Sequence, residues 1–242
     1  VDDFSSLPIS INKNKLNKIR KIEVLKLSEN VGSQKAIAFG LNYLHQKKKD
    51  FQFVTIMDGD GEDSPEEINR MLSLAKKNKK NIIVSCRKDR NENAFIKFCY
   101  KIHLILTAIL TGHWMSFGNF SCFFYKNLES VLSDKSIWHA YSASIKKTSK
   151  ILRVYATRAK RFYGNSQVRL TFLFGHSIRI IGVFYRRVII FSLIYSSVIY
   201  FLDFHYAILL YVIIISIHLI ILIVMNKSEI KNITFYDIKK IK

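Results

Sequence analysis

Proline and glycine are scarce in this chain: two and nine residues among 242, with no repeat of fixed period and no low-complexity tract beyond short lysine runs. A collagen-like, linker-rich or repeat architecture is thereby excluded. Cysteine is equally sparse. Cys86, Cys99 and Cys122 make an odd number with no CxxC or Cys/His spacing, which excludes a disulfide framework and a zinc site and reads as reduced thiols facing cytosol. Acidic residues are in deficit, 18 against 38 Lys and Arg, giving a formal charge of +20 and a pI near 9.9. That balance implies an anionic partner: nucleic acid, anionic lipid or a phosphorylated substrate. The basic residues are dispersed and no nucleic-acid recognition motif is present, so nucleic acid is not the expected partner.

What is present is apolar. Hydrophobic residues make up 49% of the chain, enough for one packed domain with an appendage. Two long apolar stretches, Val188 to Leu202 and Tyr206 to Met225, are separated only by Asp203, Phe204 and His205. A spanning helix needs about 20 apolar residues, and the first stretch reaches that with Arg186, Arg187 or Asp203 as snorkelling ends. Together they predict a transmembrane hairpin. A buried core hairpin is the competing reading, but no soluble segment nearby offers enough apolar surface to cover both helices. The flanks "RIIGVFYRR" and "NKSEIKNITFYDIKKIK" are both basic, while the connecting turn has no Lys or Arg. The positive-inside rule then puts both flanks and the N-terminal domain in the cytoplasm.

In that domain, "KIEVLKLSEN" reads as a strand, and the segment after it sets Ala36, Ile37, Leu41 and Leu44 at helical spacing. "FQFVTIMD" is a second strand. "SPEEINRMLSLAKKN" opens a helix with Ser64 as N-cap, Pro65 at the first helical position and Glu67 completing a capping box. "NIIVSCR", Asn81 to Arg87, is a third strand. Alternating strands and helices predict an open α/β sheet with its ligand beyond the carboxyl ends of the strands. The opening "VDDFSS" reads as the tail of a buried strand, so a strand and helix that would precede it are expected to be missing from this chain.

At one strand end stands Asp58-Gly59-Asp60-Gly61-Glu62-Asp63. Neither frame of a calcium loop puts Gly at position six, Glu at twelve and an acid at one. A solvated helix N-terminus accounts for Glu66 and Glu67, but not for Asp58 and Asp60, which alternate on a buried strand end and repel one another unless a cation lies between them. The remaining reading is a divalent-metal site for a diphosphate, since Mg²⁺ and Mn²⁺ prefer carboxylate and phosphate oxygens.

These motifs in this order resemble the family 2 glycosyltransferases of the GT-A fold: Asp2-Asp3-Phe4-Ser5, Asn30-Val31-Gly32 with Ala36 and Gly40, Met57 to Glu62 with Pro65-Glu66, and Ser85-Cys86-Arg87. The polyprenyl-phosphate sugar transferase branch, which includes dolichol-phosphate mannose synthase and bacterial undecaprenyl-phosphate glycosyltransferases, is the one most similar, its bacterial members often carrying a membrane hairpin. The resemblance implies a GT-A domain over residues 1–167, a juxtamembrane interfacial segment over 168–187, two membrane helices over 188–225 and a basic cytoplasmic tail over 226–242.

It implies, too, that a sugar moves with inversion from a nucleotide-sugar donor to a polyprenyl phosphate acceptor in an anionic membrane. A homo-oligomer is compatible with this. Asp2 and Asp3 would recognise the base or ribose, and Asp58 with Gly59 would meet the donor. Asp58 and Asp60 would hold Mg²⁺ or Mn²⁺, with Glu62 where the family commonly has Gln. Arg87 would face the donor. "RFYGNSQ", Arg161 to Gln167, resembles an Arg-x-x-Gly-x-Ser-Lys segment near the phosphates, which makes Arg161, Ser166 and Lys160 phosphate or acceptor ligands. Asp60 and Arg161 would be the catalytic pair. Gln167 replaces the final Lys, with Lys160, Arg158 and Arg169 as substitute cations. "SFGNFSCFFYK" occupies the place of the acceptor-side loop but lacks its usual Asp, so no general base is named. A hydroxyl acceptor in polysaccharide or glycolipid synthesis, an inactive remnant, and a basic nucleic-acid-binding membrane protein are the alternatives. "VRLTFLFGHSIRIIGVFYRR" is expected along the membrane interface, and "FCYKIHLILTAILTGHW" there or in the core.

Overall fold

The computed structural model describes residues 1–6, 19–47, 51–87, 94–157, 159, 170–202, 204–227 and 235–241. Its centre is a four-stranded sheet in the order β2 (Phe53–Ile56), β4 (Phe117–Phe124), β3 (Asn81–Arg87), β5 (Lys150–Ala156). β3 and β5 are parallel, with Arg87 opposite Ala156; β4 runs antiparallel to both β2 and β3. The segment "SFGNFSCFFYK" is therefore mostly a central strand and not a loop. β3 reads as a continuous apolar run because both of its faces are covered: Ile82, Ile83 and Val84 are fully buried.

Side-chain alternation along β3 divides the core. Ile82 and Val84 pack with Ala38 and Leu41 of α1 (Ser33–Lys47), Phe123 of β4, and Tyr141, Ala143 and Ile145 of the helix Tyr141–Thr148. Ile83 faces the other way, onto Met71 and Ala75 of α2 (Pro65–Lys77), with Phe120, Cys122 and Val154. This is the helix-sheet-helix layering that the alternating pattern predicts. α2 starts as predicted: Ser64 has extended φ and ψ, its hydroxyl accepts the Glu67 N–H at 3.3 Å, and Pro65 follows. The Glu67 carboxylate itself reaches Arg70, at 3.3 Å.

β1 (Ile22–Leu27) lies outside the four-stranded sheet. It pairs antiparallel with β6 (Phe235–Ile241), and on its other side Asp2 bridges Lys26 in parallel. The Asp2 N–H donates to Leu25 O at 2.7 Å and its carbonyl accepts the Leu27 N–H at 3.0 Å. Residues 235–241, expected within a basic tail, thus form a strand of the same ladder as the N-terminal segment.

The remaining helices make an apolar layer: α3 (Ala94–Thr111), α6 (Leu170–Val183), α7 (Tyr185–Leu202) and α8 (Phe204–Lys227), with α4 (Leu128–Leu132) and α5 (Tyr141–Thr148) belonging to the domain below. α7 and α8 are the two helices of the expected hairpin. Among the described residues, Ala94–Thr111 and Ile208–Asn226 are long and apolar enough to cross a membrane. The buried stripe of α7 is Val188, Ser192 and Ser196, one turn apart, with small side chains where helices approach closely. α6, expected along a membrane surface, packs against both layers of the protein. Ile180, Val183 and Phe184 join the sheet core while Ile178 and Ile181 pack with Val188 and Ile221, so this segment binds the helical layer to the α/β domain.

Candidate active site

The turn from β2 into α2 is folded by its own carboxylates. Asp63 is buried and its Oδ2 accepts the Asp58 N–H at 2.9 Å; Asp60 Oδ1 accepts the Glu62 N–H at 3.0 Å. Between them Gly61 has φ +85°, a conformation that side chains with a Cβ rarely adopt. Part of the acidity that marks this stretch therefore shapes the loop, and Asp63, given no site role in the sequence, is its buried anchor.

An open pocket lies beyond the carboxyl ends of β3 and β5, as the sheet rule predicts. Glu62 and Glu67 line it together with Arg87, Asn119, Ala156 and Thr157. Three acidic residues, Asp63 with Glu62 and Glu67, and a guanidinium thus share one cleft. Just past β5, the Ala159 N–H donates to Glu62 O at 3.0 Å, and Arg70 Nη1 donates to Tyr155 O at 3.1 Å. The chain leaving β5 is held across the acidic turn at the point where its basic run begins. Lys160, Arg161, Ser166 and Gln167, with Arg158 and Arg169, lie outside the described residues.

Asp58, Gly59 and Asp60 stand on the adjacent turn and do not line this pocket; nor do Asp2 and Asp3. Asp3 clamps the loop between β1 and α1: its Oδ1 accepts the Val31 N–H at 2.7 Å and its Oδ2 the Gly32 N–H at 2.8 Å. Gly32 has φ +83° there. Asp2 is buried and its Oδ1 accepts the Ser5 N–H at 3.0 Å. Burial opposes its ionisation, but the hydrogen bonds from Ser5 and the charge of Lys26 outweigh it and hold the carboxyl below the usual range.

A second polar group behind the pocket escaped the sequence reading. Gln34, buried at the start of α1, donates from Nε2 to Asn119 Oδ1 at 3.1 Å and accepts the Tyr141 N–H on Oε1 at 2.8 Å. The Tyr141 and Ser121 hydroxyls are 2.7 Å apart, and full burial pushes the phenol far above its usual pKa. The only signal was compositional: a Gln beside Gly32-Ser33 and an Asn inside an aromatic strand. Trp138 packs edge-on against Phe39 at 4.8 Å. Cys86 and Cys122 are buried and their thiols are raised in pKa by that burial, so neither is an activated nucleophile.

The donor set of the acidic turn suits a hard divalent cation, since Asp58, Asp60 and Glu62 offer only carboxylate oxygen. Among the described residues, however, no three His, Cys, Asp or Glu side chains are grouped closely enough to hold an ion. The three share a turn without converging.

The sequence model described as glycosyl transferase family 2 matches residues 1–162, well over half of the chain. No curated protein matches the chain significantly. The matched span runs from the Asp2-Asp3 segment through the acidic turn, β3 and β5 to the first residues of the basic run.

Proposed function

The chain belongs to glycosyl transferase family 2, and on that premise we propose that it transfers a sugar from a nucleotide-sugar donor to a polyprenyl phosphate at a membrane surface. The observation that carries this reading is the bond between Ala159 N–H and Glu62 O. It supports a site in which the acidic turn, Arg87 and the basic run from Lys160 to Gln167 act on one substrate. In this reading Asp58, Asp60 and Glu62, which do not converge in this structure, would close on Mg²⁺ or Mn²⁺ once the donor diphosphate is bound, and the ion would neutralise its charge. Arg87 and Arg161 bind phosphate oxygens through paired N–H groups. Lys160 and Ser166 add further donors. Asp3 fixes the loop of Val31 and Gly32 against which the nucleoside would rest.

A phosphate monoester is already ionised at neutral pH, so its oxygen needs no general base to attack the anomeric carbon. The work left to the protein is to align acceptor and donor and to stabilise the departing diphosphate. A hydroxyl acceptor is the second reading, favoured by Glu62 and Glu67 lining the same pocket, where either could take a proton.

α7 and α8 are proposed to anchor the protein, with the domain and both flanks in the cytoplasm. The pairing of β1 with β6 supports a common side for the two ends of the hairpin, independently of charge. Anionic lipid suits the basic flanks.

The test uses the protein in nanodiscs with labelled nucleotide sugars, undecaprenyl phosphate, and Mg²⁺ or Mn²⁺. The expected result is metal-dependent label in a lipid product, reduced at least about a hundredfold in Asp60→Asn and abolished by chelator. Label appearing only on a hydroxyl acceptor would move the assignment to the second reading. Turnover unaffected by Asp60→Asn would overturn the site.

A further inference from the structure

α3 is amphipathic the wrong way round for a helix on a water-exposed domain. Phe95, Phe98, Ile102, Ile105, Leu106 and Ile109 recur at helical spacing on one face, each 40–60% exposed. The covered face carries Leu104, Thr107 and Thr111, and the two threonine hydroxyls bond back to His103 O at 2.7 Å and Thr107 O at 2.6 Å. A helix covering a soluble core turns its apolar stripe inward; here the large apolar side chains point out.

Two further observations say what covers that face. The helix carries exposed Lys97 and Lys101 and no carboxylate, and α6, α7 and α8 contain no Asp or Glu either. The surface is therefore apolar with only positive charge, the complement of an anionic leaflet. It is also continuous with the proposed anchor: Tyr195 Oη of α7 donates to Ile109 O at 2.8 Å, and on α7 Ile190, Leu193 and Ile194 are exposed to a similar degree.

We propose that the outer face of α3 is embedded in membrane lipid as a third apolar helix beside α7 and α8. This rests on the anchoring read above and adds a consequence for the site. Only residues 88–93 separate Arg87, in the pocket, from the first residue of α3. Seven extended steps span at most about 25 Å, so the pocket is tethered within that distance of the start of the embedded helix.

The test places an environment-sensitive fluorophore on single cysteines in a Cys99→Ser background, Cys86 and Cys122 being buried. Labelled sites are Phe98→Cys and Ile105→Cys on α3, Ile215→Cys on α8 and Lys76→Cys on α2. The protein is reconstituted in phosphatidylglycerol-containing vesicles, and brominated lipid is compared with aqueous iodide as quencher. The expected result is loss of emission to brominated lipid at Phe98 and Ile105 matching that at Ile215, with Lys76 quenched by iodide. Iodide quenching at both α3 sites while Ile215 answers to brominated lipid would overturn this proposal and leave the anchor intact. Iodide quenching at Ile215 as well would remove both. Protection from both quenchers at the α3 sites, with self-quenching that grows with protein density, would assign the face to a second copy and overturn the lipid contact.

Discussion

Gln34 and Asn119, 85 residues apart in sequence, are joined side chain to side chain at 3.1 Å. Through this bond the first turn of α1 steadies a wall of the pocket, and the other end of the same amide holds the Tyr141 N–H. Replacing Gln34 by Leu keeps the bulk and removes both bonds. The expected cost is about 1–3 kcal/mol, because the buried Tyr141 N–H loses its acceptor. Thermal unfolding in detergent measures it, and kcat/KM for the nucleotide sugar is expected to fall with it. An unchanged Tm would mean that the amide is replaceable by water.

Asp3 is the next point of leverage. Asp3→Asn offers one acceptor oxygen where the carboxylate offers two, so one of the Val31 and Gly32 N–H bonds is lost. A charge-assisted bond is worth about 1.5–3 kcal/mol. Donor KM should rise more than kcat falls, which steady-state kinetics at varied nucleotide sugar will separate.

Gly182 of α6 lies against Met225 of α8. A Cβ added there would stand 2.5 Å from the methionine sulfur. Gly182→Ala should destabilise the helical layer by about 1–3 kcal/mol through overpacking. Shortening the neighbour with Met225→Ala should restore part of that loss, a coupling that a double-mutant cycle detects. Strict additivity would show that Met225 simply swings aside.

Asp134 supplies a pH dependence. Its Oδ1 accepts the Ser136 N–H at 2.8 Å and its Oδ2 lies 2.6 Å from Lys147 Nζ. Partial burial raises its pKa, but Lys147 and Ser136 outweigh that and hold the carboxyl below its ordinary value. A lowered folded-state pKa contributes stability above the ordinary carboxylate pKa and loses it as pH falls through the folded value. Asp134→Asn should therefore lower Tm at pH 7, and the gap to the parent protein should close in acid. A gap that is constant with pH would assign the effect to the hydrogen bonds alone.

What could be read from the chain in advance was local. β3 announced itself as an unbroken apolar run, and α2 by Ser64 and Pro65, because strand burial and helix capping depend on neighbours in sequence. The insertion of β4 between β2 and β3 depends on pairing Thr55 and Ile83 with the same Cys122, which no period reveals. α3 was ambiguous for a related reason: apolar residues occur on both of its faces, and only the packing of Leu104 and Thr107 tells inside from outside. Asp58 and Asp60 were conspicuous as charges on a strand end. That Asp63 and the backbone would use some of that charge to fold the turn was a matter of geometry.

The ladder between β1 and β6 has a bearing on the order in which the molecule is built. Ile22 and Ile241 are partners, so the first strand leaves the ribosome more than two hundred residues before the strand that completes its edge. Until then its N–H and C=O groups on that side face water as an unpaired template. Closing so large a loop is slow for a free chain. Here the intervening segment includes α7 and α8, so β6 reaches β1 only after both helices have been made. On the anchoring proposed above, insertion of α7 and α8 would precede the completion of this ladder.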